Sequence, residues 1–239
     1  MKTWQAILFD LDGTLLPMDM DIFTHAYFGL LAQTVAPLGY EKDNLIKSVW
    51  AGTEAMIKNN GSALNKDVFW QHFAKLQGEG VYQHISAFDQ FYSNEFNQAA
   101  EFCSPRPELA QKAVKLAHEL ADRVILATNP LFPAVGVQTR LSWIGLQPSD
   151  FDYITSYENS RFCKPSFGYY QQIVETYGLN ASCCLMVGND IDEDVRAAEE
   201  VGMQSFLLTD CLINKSGVEL PEDMHGSFEE LIKFFEMYK

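Results

Sequence analysis

The sequence predicts an α/β fold, in which a doubly wound parallel-sheet core carries an inserted α-helical cap domain. Short apolar runs bounded by Asp, Gly or Asn recur along the chain, as expected of buried parallel strands. Stretches with helical spacing separate these runs, and this alternation is typical of a doubly wound sheet. One long interval after the first run shows helical patterning without a convincing strand, which indicates an insertion.

The core elements are predicted from the apolar runs and from the helical spacing between them. The predicted strands lie at residues 6–9, 124–127, 183–187 and 205–208, with a weaker one at 151–154. The predicted helices lie at residues 107–121, 132–143, 167–177, 192–201 and 228–238. The core domain is therefore predicted to consist of residues 1–17 and 105–239.

The inserted segment, residues 18–104, is predicted to form the cap domain. Turn-like stretches rich in Gly, Pro and Asn divide it into helices. These helices are predicted at residues 21–36, 42–58, 66–77 and 82–99. The aromatic side chains of the segment fit either a substrate pocket or the ordinary core of a small helical domain. They are Phe23, Tyr27, Phe28, Trp50, Phe69, Trp70, Phe73, Tyr82, Phe88, Phe91, Tyr92 and Phe96.

Composition limits the classes of partner. The 239 residues include 32 acidic and 17 basic ones, for a formal charge of −15. A field of that sign repels nucleic acids and anionic membrane surfaces, so neither is expected as a partner. The five cysteines form no C-x-x-C pair, so neither a disulfide framework nor a zinc site is predicted. The first apolar stretch is too short for a signal peptide or a membrane span, and we expect a cytoplasmic protein of undefined oligomeric state.

The most informative residues follow the first predicted strand, where the chain reads Asp10-Leu11-Asp12-Gly13-Thr14. Ligand sites in open α/β sheets lie beyond the carboxyl ends of the strands. Side chains two apart on an extended segment point to the same side, so both carboxylates are expected at one site. A bound metal would keep one carboxylate ionised, while the like charge raises the pKa of the other. The alternative is an ordinary Asp-Gly turn that ends the strand.

Further polar residues stand after later strands or in a later loop. They are Thr128 and Asn129 after the strand at 124–127, Lys164 with Pro165 in a loop, and Asn189, Asp190 and Asp194 after the strand at 183–187. Together with residues 10–14, they resemble the four ordered motifs of the haloacid dehalogenase-like superfamily. The resemblance extends from about residue 5 to about residue 209 and implies a Rossmann-like core with a helical cap.

The resemblance implies a phosphatase that acts on a small phosphorylated metabolite. In the family's pattern, Asp10 attacks phosphorus and forms an aspartyl-phosphate. Asp12 protonates the leaving oxygen and afterwards activates water. Thr128, Asn129 and Lys164 are expected to bind the phosphate, with Lys164 supplying a positive charge that offsets the acidity of the chain.

The resemblance also implies a Mg²⁺ cofactor, held by Asp10, by Asp12 through its backbone carbonyl, and by Asp190. Many family members carry Asp directly after the glycine of the fourth motif, where this chain has Asn189. The ligand role then falls either to Asp190 or to the side-chain carbonyl oxygen of Asn189. Asp194 lies four residues after Asp190 and faces the same site if a helix begins there, as a direct ligand or as a support for the ligands.

Other functions stay open within the superfamily. A phosphomutase shares the core and differs in how the cap excludes water. A phosphonate hydrolase would need a Schiff-base lysine from the cap, which offers Lys42, Lys47, Lys58, Lys66 and Lys75. A regulatory or binding protein without turnover is the third alternative, motivated by Asn189. Dehalogenases of the superfamily lack the second Asp of the first motif, so Asp12 favours phosphoryl transfer.

Overall fold

A computed structural model describes residues 2–220 and 224–239 of the chain. Among these residues, six strands form one parallel sheet in the order β3-β2-β1-β4-β5-β6. The strands are β1 (Trp4–Phe9), β2 (Ala121–Leu126), β3 (Tyr153–Ile154), β4 (Cys184–Gly188), β5 (Gln204–Leu208) and β6 (His225–Gly226). The predicted α/β fold class with a parallel sheet is confirmed.

Strand β1 lies near the middle of the sheet because its side chains are apolar toward both faces. Ile7 and Phe9 belong to one buried cluster, and Ala6 and Leu8 belong to a second cluster on the opposite face. Helices cover each face of a parallel sheet, so alternate side chains of a central strand enter different cores. This explains why the strand is a continuous apolar run rather than an alternating one.

Some of the helices of the described chain begin at residues that favour a helix start. They are α1 (Met20–Val35), α2 (Lys42–Ile57), α3 (Asn65–Gln77), α4 (Ile85–Ser93), α5 (Pro107–Leu120), α6 (Ala134–Trp143), α7 (Phe167–Tyr177), α8 (Ala197–Glu200) and α9 (Phe228–Met237). Pro107 opens α5, where its missing N–H would have had no intrahelical partner. Ser227 and Glu230 cap α9 reciprocally. None of the described helices is long and apolar enough to cross a membrane.

The helix predicted at residues 192–201 is present, but its first half is not α-helical. Residues Ile191–Arg196 form a widened π-type turn, and regular α-helix is confined to α8. The turn widens because the carbonyl of Asp190 accepts hydrogen bonds from the N–H groups of both Asp194 (2.9 Å) and Val195 (3.3 Å). This bulge borders the site described below, since it contains Asp194.

Other boundaries differ from prediction for local reasons. The helix predicted at residues 82–99 breaks at Asn94, whose backbone (φ −117°, ψ −87°) is not helical, and a 3-10 segment, Glu95–Phe102, follows. The strand predicted from residue 183 begins one residue later, because Cys183 ends a 3-10 turn. Strand β6 was not predicted, since its two residues include no apolar run.

Residues 18–104, here called the cap segment, leave and rejoin the core at adjacent points. Met18 pairs with Cys103 in an antiparallel bridge, and the N–H of Ser104 donates to the carbonyl of Pro17 at 2.8 Å. Helices α1 to α4 lie between these points. One continuous cluster of buried side chains includes Phe23 of the cap segment together with residues of the sheet. The segment therefore packs on the core through apolar contacts.

Helix α6 follows β2 in the core but is fastened to the cap segment. The hydroxyl of Thr139 donates to the carbonyl of Tyr92 at 2.8 Å. The indole N–H of Trp143 donates to the side-chain oxygen of Asn97 at 3.2 Å. The first of these bonds is buried, so α6 is held by both parts of the chain.

Candidate active site

Three neighbouring strands end at one edge of the sheet and bring the predicted residues together. Asp10 follows β1, Thr128 follows β2 and Asn189 follows β4. Since these strands are adjacent, their carboxyl ends meet. A cavity of about 710 Å³ lies there, and we call it the acidic cavity. Eight carboxylate side chains and one lysine line it: Asp10, Asp12, Asp19, Asp21, Asp190, Glu193, Asp194, Asp210 and Lys215.

Lys164 lies behind the wall of the acidic cavity rather than in it. Its side chain is only 1% exposed, and its Nζ donates to Asp10 Oδ1 at 2.9 Å and to Asp194 Oδ1 at 2.6 Å. Burial by itself would lower the pKa of Lys164, but the two carboxylates outweigh burial and raise it well above its usual value. The two short contacts also fix the position of the Asp10 carboxylate.

Asp194 links Lys164 to the backbone of the fourth loop. While its Oδ1 accepts from Lys164, its Oδ2 accepts from the N–H groups of Asn189 and Asp190, both at 3.0 Å. Gly188 is required beside it, because a Cβ there would collide with the Asp194 carboxylate. Both oxygens of Asp194 are thus engaged within the protein, which makes it a support for its neighbours.

Asp12 has a different partner from Asp10. Its Oδ2 accepts from the guanidinium of Arg140, which is fully buried. Burial raises the pKa of Asp12, and the Arg140 charge opposes the shift while the Asp10 charge adds to it. Asp12 Oδ1 and Arg140 Nη2 are buried without a hydrogen-bond partner in the described chain. The two acids of the first loop therefore have distinct electrostatic surroundings.

Arg140 was missed at the sequence level, although a signal for it existed. It lies on α6 between Val137, Leu141 and Ile144, at the helical spacing of a buried stripe, and all three of these apolar residues are buried. Its guanidinium also stacks over the ring of Phe132, 4.2 Å from the centroid. An arginine at a core-facing helical position is rarely unpaired. The position of Arg140 on this stripe is therefore the signal from which a buried acidic partner could have been predicted.

Asn189, in the loop after β4, connects that loop to the turn at residues 10–14 through hydrogen bonds. The Thr14 hydroxyl donates to Asn189 Oδ1 at 2.9 Å, and Asn189 Nδ2 donates to the carbonyl of Cys211 at 2.7 Å. Gly13 has φ +86°, and a Cβ at this position would collide with the Asn189 amide. The Asn189 side chain is consequently used to join loops.

Thr128 and Asn129 occupy different parts of the predicted phosphate site. Both line the acidic cavity, and the hydroxyl of Thr128 makes no hydrogen bond within the described residues. The Asn129 side chain instead donates to Glu193 Oε2 at 2.9 Å and accepts from the N–H of Lys164 at 3.3 Å. Thr128 thus has a free donor toward the cavity, whereas the Asn129 side chain orders two loops.

The oxygen donors fit a magnesium ion. In the part of the chain that the structure describes, no three His, Cys, Asp or Glu side chains gather as a self-sufficient metal site. Magnesium, however, is commonly held by one or two carboxylates together with waters and substrate phosphate. Asp10 and Asp190 line the cavity, and each hydrogen bond that their carboxylates make uses Oδ1. Of the two alternatives for the fourth motif, the geometry favours Asp190 over Asn189.

Solved structures of known proteins share this fold. A HAD phosphatase from Thermococcus onnurineus is 18% identical, with a TM-score of 0.57 over 96% of this chain and 97% of its own. The HAD-hydrolase YfnB from Bacillus subtilis, bound to magnesium, is 18% identical, with a TM-score of 0.60 over 98% and 100% of the two chains. A 2-haloacid dehalogenase from Pseudomonas syringae pv. Tomato is 15% identical, with a TM-score of 0.61 over 99% and 100%.

At these identities the structural likeness shows the fold alone. No curated protein matches the sequence. The family model described as haloacid dehalogenase-like hydrolase matches residues 4–202, which includes every residue of the site discussed above except Asp210, Cys211 and Lys215. The chain therefore belongs to the haloacid dehalogenase-like hydrolases.

Proposed function

We propose that the protein is a magnesium-dependent phosphatase that hydrolyses a small phosphorylated metabolite through an aspartyl-phosphate on Asp10. The observation that supports this most is the different pairing of two neighbouring acids. Asp10 accepts a hydrogen bond from the ammonium of Lys164, whereas Asp12 is buried with a raised pKa and opens on the same cavity. Acids with such separated environments serve as nucleophile and general acid.

In this mechanism, the carboxylate of Asp10 attacks phosphorus, and the bond from phosphorus to the alcohol oxygen breaks. Asp12 gives its proton to that oxygen as the alcohol leaves. Water then attacks the aspartyl-phosphate, Asp12 takes the proton of the water, and the bond between phosphorus and Asp10 breaks. Inorganic phosphate is released and both acids return to their starting states.

The remaining residues position the ester. Lys164 orients Asp10 and neutralises its charge, and the free hydroxyl of Thr128 is placed to donate to a phosphate oxygen. We assign phosphate contact at Asn129 to its main chain, because its side chain is engaged elsewhere. A Mg²⁺ ion held by Asp10, Asp190 and the main-chain carbonyl of Asp12 would neutralise charge on the transferring group.

The alternatives find less support in the site. None of the five cap lysines that could serve a phosphonate hydrolase lines the acidic cavity. Dehalogenation needs no general acid, whereas Asp12 lines the acidic cavity beside Asp10 and can supply one. A phosphomutase would use the same residues, and it differs in passing the phosphoryl group to a second hydroxyl of a sugar rather than to water.

Release of phosphate from 4-nitrophenyl phosphate tests the proposal. We expect activity with Mg²⁺, its loss on chelation, and its loss in Asp10→Asn. Asp43→Asn, an exposed acid in the first turn of α2, is the matched control and should keep full activity. Retained activity in Asp10→Asn would refute the nucleophile. Halide release from 2-chloropropanoate without phosphate release would refute the phosphatase assignment.

A further inference from the structure

A second cavity, here called the apolar cavity, adjoins the acidic one. Its volume is about 160 Å³, and ten aromatic side chains line it, among them Tyr27, Trp50, Trp70, Tyr92 and Phe132. Most come from the cap segment, whereas Phe132 comes from the core. The sequence left open whether the cap aromatics form a pocket or only a core, and the cavity shows that several of them face open space.

The walls of the apolar cavity offer few free hydrogen-bonding groups. The hydroxyls of Tyr27 and Tyr92 bond to each other at 2.9 Å, and the indole N–H of Trp70 donates to the hydroxyl of Tyr157 at 3.4 Å. These four rings thus pair their polar groups with one another, and the polar side-chain groups left in the lining are those of Trp50, Thr24, Thr53 and Asp89. A hydroxyl-rich ligand would regain only part of the hydrogen bonds to water that it loses on entering such a space. An apolar ligand would lose nothing and would gain contact area.

The two cavities are continuous in their linings. Met20, Leu131 and Phe132 line both of them. Leu131 and Phe132 also follow Thr128 and Asn129 closely in sequence, so the loop that borders the phosphate position also borders the apolar space. The two cavities therefore meet at these three residues, next to the loop that carries Thr128.

The volume of the apolar cavity and the charge of its lining limit which ligands fit it. A protein cavity of about 150 Å³ lined by apolar side chains is known to stay dry and to bind benzene, so a space of this volume holds one aromatic ring. Asp89 is the one charged side chain in the lining. A ligand with a second anionic group would meet this carboxylate in a weakly solvated place and would be repelled.

Resting on the proposed phosphatase activity, we propose that the apolar cavity binds the alcohol part of the substrate. The substrate is then a phosphomonoester whose alcohol carries one aromatic ring, or an apolar group of that size, without a second negative charge. Sugar phosphates and bisphosphates are excluded as preferred substrates by the same walls.

Three esters with primary alkyl leaving groups test the proposal, because their intrinsic reactivities are similar. We expect kcat/KM for benzyl phosphate to exceed that for glycerol 3-phosphate by roughly one to two orders of magnitude, as burial of about 100 Å² of apolar surface provides. 4-Carboxybenzyl phosphate should be a poor substrate, and Asp89→Asn should improve it selectively. Equal or greater kcat/KM for glycerol 3-phosphate would overturn the proposal.

A variant that fills the apolar cavity tests whether the preference for benzyl phosphate arises there. Thr24 lines the apolar cavity from α1, and its neighbour His25 faces solvent. Thr24→Phe should reduce the preference for benzyl phosphate over glycerol 3-phosphate at least fivefold, whereas the matched control His25→Phe should keep it. An unchanged preference in Thr24→Phe, with a native-like melting temperature, would place the ring elsewhere and overturn the proposal.

Binding of benzyl alcohol, which has no phosphate, separates this inference from the phosphatase assignment. Trp50 and Trp70 line the apolar cavity, whereas Trp4 and Trp143 do not, and the sequence has four tryptophans. The indole N–H signals of the first pair should therefore shift in ¹H–¹⁵N spectra on titration, while those of the second pair stay. If these signals shift but the protein has no phosphatase activity, the proposed reaction is refuted and the ligand site in the apolar cavity stands. If the protein is a phosphatase but these signals do not shift, the assignment of the apolar cavity is refuted and the reaction stands.

Discussion

Replacing Arg140 by Met should destabilise the protein strongly and in a pH-dependent way. Arg140 is fully buried and forms an ion pair with Asp12, whose side chain is 16% exposed. Removing one partner of a buried pair costs about 3–5 kcal/mol, because the other charge is left without compensation. The lost contact with the Phe132 ring adds about 1 kcal/mol. Methionine fills much of the vacated volume, so the main cost is electrostatic.

The sign of the pH dependence follows from Asp12. Burial already raises the pKa of Asp12, and Arg140 is the strongest influence that lowers it. In Arg140→Met the folded-state pKa of Asp12 therefore rises further above the unfolded value. An acid with a raised folded pKa costs stability at every pH above its unfolded pKa, and this cost disappears as the pH falls and the acid binds its proton. The loss should be about 5 kcal/mol at pH 8 and about 3 kcal/mol at pH 5, where a neutral but poorly bonded carboxyl remains.

Urea unfolding followed by tryptophan fluorescence measures both values. Arg123→Met is the matched control, since Arg123 also lies over an aromatic ring, that of Tyr177 at 5.1 Å, but is exposed. It should change the free energy of unfolding by less than about 1 kcal/mol at either pH. Adding Asp12→Asn to Arg140→Met should recover stability at pH 8. A loss that is equal at both pH values, with no recovery in the double variant, would refute the electrostatic reasoning.

Three further predictions concern the fourth loop and the first turn. Mg²⁺ at 100 times its Kd should raise the free energy of unfolding by about 2.7 kcal/mol, which a rise in melting temperature would report. Asp190→Asn keeps an oxygen that can cap the helix but removes the charge, so the rise should be lost in this variant. If Mg²⁺ still raised the melting temperature of Asp190→Asn, Asp190 would be excluded as a ligand. Gly13→Ala should cost about 3 kcal/mol or more through its positive φ and its collision with Asn189. Gly39→Ala, with φ +90° but open space around it, should cost only about 1 kcal/mol, and equal melting temperatures for the two would deny the collision. Asp194→Asn should lower the free energy of unfolding by about 2–4 kcal/mol. The reason is that one side-chain amide cannot accept from Lys164 and from two backbone N–H groups together. An unchanged urea midpoint would contradict this prediction.

Much of the site could be predicted because the ends of buried strands can be recognised in the sequence. A continuous apolar run that stops at a polar residue, directly or after one glycine, marks both a central strand and the position of the polar residue at the sheet edge. Asp10 and Asn189 were placed in this way, and both follow central strands in the structure. Lys164 depended on the family resemblance alone, since a loop lysine has no local signal that distinguishes it from a surface residue.

Other features depended on tertiary contacts that a local pattern does not report. Arg140 belongs to a helix that was predicted, but its partner lies on another loop, so its role emerged only from the packing. The widened turn before α8 arises from a shared carbonyl at Asp190, which periodicity treats as ordinary helix. Lys164 is predicted to face the phosphate, yet its ammonium is enclosed between the carboxylates of Asp10 and Asp194.

The charge of the acidic cavity bears on how a substrate arrives. Eight carboxylates against one lysine repel a phosphate dianion before any contact forms, and the two buried cations are already neutralised by their partners. Encounter with an anionic ester should consequently be slow in dilute buffer and faster as salt shortens the range of the repulsion. The same field attracts divalent cations, so we expect a divalent cation to associate before an anionic ester does.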